Sequence, residues 1–232
     1  MSQHGFTALS RDINVLLKGR ANINDPEPVM VRDIALPETP LAKKVQEFAK
    51  KELREETYNH SMRVYYFGRA IQEQQFPDWD LSAETYFITA LLHDIGTTEK
   101  HMAATKMSFE FYGGLLAREL LVVHDVELAE AVAEAVIRHQ DLGTSGKITS
   151  LGLLIQLATL FDNVGGNAGL VHRGTIDDVV AAYPRKQWST CFAATIREEI
   201  RQKPWCHTTA LGEEDFPGDV LANTLMERYE TD

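Results

Sequence analysis

The chain has 232 residues, 44% hydrophobic and 25% charged, a balance that excludes disorder over most of its length. A formal net charge of -11 repels phosphate backbones at long range, so nucleic acid is excluded as a default partner. Cys191 and Cys206 have no CxxC spacing and make no disulfide framework, so they read as free thiols of a reducing compartment, the cytoplasm or the nucleus. MSQHGFTALS lacks the basic start and apolar run of a signal peptide, and no apolar stretch reaches the ~18 residues that span a bilayer. The expectation is a soluble chain with no membrane partner.

Residues 1–38 read as an irregular arm interrupted by the breaker segment Asn22–Pro28. Thr39-Pro40 looks like an N-cap followed by proline at the first helical position, and Leu41, Val45, Phe48 and Ala49 continue at helical spacing, which predicts a helix over about 40–53. A second helix is predicted over about 57–75, with His60, Val64, Phe67 and Ile71 on one face and Pro77 beyond its end. A third follows Ser82, carries Tyr86 and Ala90, and ends near His93 before the stop signal of Gly96. Further helices are predicted near 108–122, 126–140 and 150–162. The stripe Val132-Ala133-Val136 runs on to His139, and the stripe Leu151-Leu154-Ile155-Ala158 runs on to Asp162. After the glycine-rich break at 164–169, two shorter helices near 175–182 and 190–202 precede a loop at 203–209. Period-two alternation is scarce, so the fold class is all-α: a compact multi-helix domain over 39–232 behind the N-terminal arm.

Several polar residues stand where this pattern asks for apolar ones: His60, His93 with Asp94, His139 and Asp162. A carboxylate such as Asp162 on a buried stripe needs a compensating partner, and a divalent metal satisfies carboxylates and imidazoles together. Adjacent residues lie about 100° apart around a helix, so His93 and Asp94 can share one ion only near a helix end. The pattern alone leaves two readings open: a metal joining three helices, or a set of separately hydrogen-bonded core residues. Zinc, iron(II) and manganese(II) all suit such nitrogen and oxygen donors.

The order His60, His93-Asp94, Asp162 in the context Ala90–Gly96 (ALLHDIG) resembles the H…HD…D pattern of the HD-domain superfamily. The segments Asn59–Val64, Lys106–Phe109, Tyr112–Gly114, Ile137–Asp141, Asp162–Gly165 and Lys203–Thr209 look like those of fungal cyanamide hydratases, a likeness running over roughly 37–226. That resemblance implies a zinc-dependent hydro-lyase that adds water to the small neutral nitrile cyanamide and gives urea. It makes His60, His93, Asp94 and Asp162 the zinc ligands, with Fe2+ or Mn2+ as less suited substitutes, and it implies a homo-oligomer. HD phosphohydrolases of the nucleotidase type carry a glutamate three residues after the HD aspartate. Thr97 stands there, which disfavours phosphate-ester hydrolysis.

Hydration also needs proton movement. His139 is the first candidate for a shuttle, with a ligand-orienting role or direct metal ligation as its alternatives. Thr159, three residues before Asp162, is a candidate for binding substrate or water, or else a hydroxyl bonded to its own helix. Asn163, Trp205 and His207 are candidates for binding substrate; capping a helix end or packing are their plainer roles. Two other readings of the chain remain at this point, a nucleotide phosphohydrolase and a non-catalytic, metal-stabilised ligand sensor.

Overall fold

The computed structural model describes residues 3–230 as a helical domain with one small sheet. The first segment holds strand β1 (Ala8–Ser10) and helix α1 (Ile13–Leu17). Helices α2 (Pro40–Glu52), α3 (Glu55–Gln75), α4 (Ala83–Leu92), α5 (Glu99–Ala104), α6 (Phe109–Leu121) and α7 (Val126–Arg138) follow. Strand β2 (Lys147–Thr149) leads directly into α8 (Ser150–Val164), and α9 (Arg173–Ala182), α10 (Trp188–Gln202) and α11 (Asp215–Leu221) complete the bundle. Among the described residues no helix is long and apolar enough to cross a membrane.

The helix starts follow from local chemistry. Thr39, Ser82, Asp125 and Thr149 each place a side-chain oxygen on a free backbone N–H of the first turn of α2, α4, α7 and α8, and Pro40 occupies the first turn of α2. Gly165, at φ 70°, ends α8 in the left-handed region. Helix α3 is the central element, packed against α8, α4, α9 and α10. Its burial is nearly all round: Met62, Val64, Tyr65, Phe67 and Ile71 are fully enclosed, and so are His60 and Arg63. A smaller apolar cluster of Trp188, Phe192, Ile196, Phe216 and Val220 joins α10 to α11.

The arm is more ordered than its sequence pattern indicates. β1 pairs antiparallel with β2, with Leu9 opposite Ile148. Leu17 and Ile34 enter the main core. The backbone N–H groups of Ile23 and Asn24 donate to the Gln75 side chain, and Val29 N–H donates to Thr175 Oγ1. These bonds satisfy extended backbone that has no ladder of its own. Helices α5 and α11 and both three-residue strands carry too few periodic residues to stand out in the sequence.

Candidate metal centre

Three helix ends and one helix interior deliver the site. His60 lies in the first half of α3. His93 is the residue that closes α4, and Asp94 then leaves helical geometry (φ −101°, ψ 11°) before a single 3-10 turn over Ile95–Thr97. That break lets two adjacent side chains reach one point, which a continuous helix forbids. The turn can sit where it does because residue 96 is glycine: a Cβ there would lie 2.1 Å from the carbonyl oxygen of Phe109 at the start of α6. His139 closes α7 in the way that His93 closes α4.

Each imidazole is oriented by a bond from Nδ1. His60 Nδ1 is 2.6 Å from Asp162 Oδ2, His93 Nδ1 is 2.8 Å from the Ala90 carbonyl, and His139 Nδ1 is 2.7 Å from the Val136 carbonyl. With Nδ1 donating in all three, Nε2 is the nitrogen turned to the donor cluster, and it offers a lone pair whenever the ring is neutral. His60 Nε2 and His93 Nε2 stand 3.2 Å apart, and Asp94 Oδ2 lies 3.7 Å from the first and 3.2 Å from the second. His139 Nε2 faces the other carboxylate oxygen, at 3.7 Å from Asp94 Oδ1.

The electrostatics fit a cation. Asp94 is buried, and among the described residues neither of its oxygens has a hydrogen-bond partner. An anion so placed costs several kcal/mol unless a positive charge meets it. Burial pushes His60 down to about 4 against the pull of Asp162, so the ring is neutral. Burial also opposes charge on His93, but Asp94 overrides it and lifts His93 above its ordinary value. For Asp94 itself burial favours the acid form, and His93 beside it still holds the carboxyl below its usual range. Burial and the neighbouring His93 lower His139. His60, His93 and Asp94 thus offer three donor atoms within 4.8 Å of one another, a set suited to one divalent ion.

Asp162, expected as a fourth ligand, is not among the converging donors. Its carboxylate stands behind His60 and is fully claimed by cations and N–H groups. Arg63 Nε and Nη2 approach it at 3.0 and 2.9 Å, Arg185 Nη1 binds Oδ1 at 2.7 Å, and His60 takes Oδ2. Both guanidinium groups are fully buried, so Asp162 is their counter-ion first. Its Oδ2 meets the site at the His60 ring, and the carboxylate–histidine pair fixes that ring's orientation.

The remaining candidates separate. Thr159 Oγ1 donates to the carbonyls of Ile155 and Gln156 in its own helix. Asn163 Oδ1 accepts from Trp188 Nε1 at 2.8 Å, and Trp188 stacks on His60 with ring centroids 4.2 Å apart. The oxygen of Asn163 thus meets the site at that indole. Trp205 is 61% exposed and bonds the Lys106 carbonyl, so it does not close a pocket over the site. His207 pairs with the buried carboxylate of Glu110 at 2.8 Å and stacks on Phe111. Thr97 Oγ1 donates to the Asp94 carbonyl and caps the short turn. A cleft beside the site is lined by Thr57, Thr97 and Cys191, each one helical or 3-10 turn from His60, Asp94 and Trp188.

Arg63, Arg185, Trp188 and Glu110 were not among the residues picked out by pattern. Arg63 had a signal: it lies three residues after His60, on the same face of a helix that is otherwise apolar there.

Residues 57–164 match the HD domain family, a span that begins one turn before His60 and closes just after Asp162. Over 228 residues the chain is 46% identical to two proteins of Saccharomyces cerevisiae, the cyanamide hydratases DDI2 and DDI3, covering 97% of this chain and 99% of each relative. With a likeness of that depth over nearly the whole length, and with every site residue from His60 to Asp162 inside the HD span, the chain belongs to the cyanamide hydratase family of HD-domain enzymes.

Proposed function

We propose that the chain hydrates cyanamide to urea, and that His60 Nε2, His93 Nε2 and Asp94 hold the zinc ion the reaction uses. The observation that carries this reading is Asp94, a buried carboxylate whose two oxygens have no hydrogen-bond partner among the described residues, faced by the Nε2 atoms of His60 and His93. Two imidazoles and one carboxylate make the three-protein-ligand set common in catalytic zinc sites, which leaves room for water and substrate. A bound divalent cation supplies Lewis acidity, which polarises a nitrile and lowers the pKa of a nearby water.

The protein's own residues do the rest. The site is enclosed, with His60, His93 and Asp94 each at most 1% exposed, which suits a small neutral substrate better than a charged or bulky one. Trp188 and Phe192 form an apolar wall against His60. His139 Nε2 carries a lone pair and faces Asp94 Oδ1, and it is placed to take the proton that the attacking water gives up. The nitrile nitrogen needs that proton back, and the resulting isourea becomes urea by moving one more proton from oxygen to nitrogen. No net proton is consumed, so one shuttle at His139 suffices. Phosphate-ester hydrolysis has less support, because Thr97 caps its turn and brings no carboxylate to the position that such enzymes use.

The test is urea formation from cyanamide by purified, zinc-loaded protein, run beside Asp94→Asn and a chelated sample. Urea from the loaded wild type alone is expected. A folded, zinc-containing wild type that forms no urea would overturn the reading, and release of phosphate from nucleotides in that case would favour the phosphohydrolase.

A further inference from the structure

A line of hydrogen bonds runs from the last described residue of the chain to a metal-facing imidazole. Glu230 Oε1 accepts from Arg185 Nε at 2.7 Å and from Ser189 Oγ at 2.6 Å. Arg185 turns its Nη2 to Ser189 Oγ at 3.1 Å and its Nη1 to Asp162, reaching Oδ1 at 2.7 Å and the backbone carbonyl at 3.1 Å. Asp162 Oδ2 receives His60 Nδ1 at 2.6 Å. Every link but the outermost is sealed: the side chains of Arg185, Asp162 and His60 are 0% exposed, and that of Glu230 is 17% exposed.

The contacts are also selective. Arg63 spends Nη1 on the Tyr183 and Pro184 carbonyls, so it is held by the α9–α10 connection as well as by Asp162. Among the described residues Arg185 meets no carbonyl beyond that of Asp162, and its opposite edge rests on Glu230 and Ser189. A buried guanidinium with one carboxylate on each side is pinned between them. Without Glu230 it can slide along Asp162 and change how that carboxylate presents Oδ2 to the imidazole. Metal-bound histidines are sensitive to the partner on their other nitrogen, typically by about 10–100-fold in affinity when it is lost.

We infer that Glu230 is a positioning residue of the metal centre, acting through Arg185 and Asp162 to set the orientation of His60. The C-terminal segment is then a latch whose docking tightens metal binding, although it touches neither metal ligands nor substrate. This inference rests on the metal reading given under the proposed function.

The experiment is competition for Co2+ between the full-length protein and a chromophoric chelator, with the visible Co2+ spectrum as a second readout. Wild type and His93→Ala are measured first. A wild type that takes up no Co2+, or an affinity indifferent to His93→Ala, removes the metal reading and the latch together. With those controls in place, Glu230→Ala is expected to weaken Co2+ binding by about fivefold to tenfold and to shift the Co2+ bands, one link further out than the factor above. Glu230→Gln keeps an acceptor for Arg185 and is expected within about threefold of wild type, which also covers a failure of the alanine variant to fold. In the Asp162→Asn background the Glu230 substitutions should have no further effect, because the link they act through is already broken. Unchanged affinity and spectrum in folded Glu230→Ala, or an equal loss in both backgrounds, would overturn the latch even if the variant melts earlier.

Discussion

Replacing Asp162 by asparagine separates two roles for that residue by the sign of one measurement. Here Asp162 neutralises two guanidinium groups that have no access to solvent, through contacts of 2.7 to 3.0 Å, and also accepts from His60. Asparagine keeps the shape but loses the charge, and its amide nitrogen must face a group that is itself a donor. If it faces His60, the ring has to accept at Nδ1 and carry its proton on Nε2, the atom that faces His93. Breaking a buried ion pair from one side costs about 3–5 kcal/mol, and in this substitution Arg63 loses its carboxylate and Arg185 one of its two. At about 2–4 °C per kcal/mol for a chain of this size, the metal-free protein should melt about 6–20 °C lower than metal-free wild type. Metal affinity should fall by about 10–100-fold as well. The assay is calorimetry or circular dichroism on chelated samples, followed by metal titration. If chelated Asp162→Asn melts with wild type while its metal binding is lost, Asp162 is a ligand and the clamp described here is wrong. Without a metal, a fourth converging carboxylate would only add repulsion, so its removal would not destabilise.

His139→Ala should lower kcat by about 100-fold or more while leaving metal content at one ion per chain, as metal analysis and steady-state urea assays would show; loss of the metal would make His139 a ligand instead. Gly96→Ala should cost on the order of 3 kcal/mol in a urea melt and reduce metal content, since the new methyl meets the Phe109 carbonyl at 2.1 Å and backbone must move; a neutral result would mean the turn has room. For pH, the sign follows from His60, whose folded value is pushed down to about 4 from an unfolded 6.5. Its contribution to metal-free stability is whole above pH 6.5 and is lost as pH falls toward 4, on the order of 3 kcal/mol at ~1.4 kcal/mol per pH unit. Denaturant melts of wild type and His60→Asn across that window should diverge, and parallel curves would refute the attribution.

The helical frame was legible because its signals are local. Thr39-Pro40 and Ser82 cap where the sequence places capping residues, and the apolar stripes of α3, α7 and α8 run on to His60, His139 and Asp162. The roles of those residues were less legible, because they depend on which neighbour takes which atom. The expectation of Asp162 as a ligand rests on the family resemblance; the stripe itself says only that a buried acid must meet a positive charge. That charge comes from Arg63 and Arg185, and Arg185 lies in a loop where periodicity says nothing. Trp188 sits at the very start of α10, and only the folded chain shows its ring stacked on His60. Trp205 and His207 stand in a segment that resembles the family's, and the bonds they make tie 203–209 to Lys106, Ser108 and Glu110.

The pairing of β1 with β2 also sets an order in time. The segment around Leu9 leaves the ribosome well before its partner Ile148, which is made only after α1 to α7. Until then the opening residues have no ladder to join, and the edge they will cover at the start of α8 is bare. Contacts so distant in sequence are slow to form, so this seam should be among the last to close during synthesis and among the first to open under stress. Hydrogen exchange at Leu9 and Ile148 would show it as early opening there, ahead of α3 and α8.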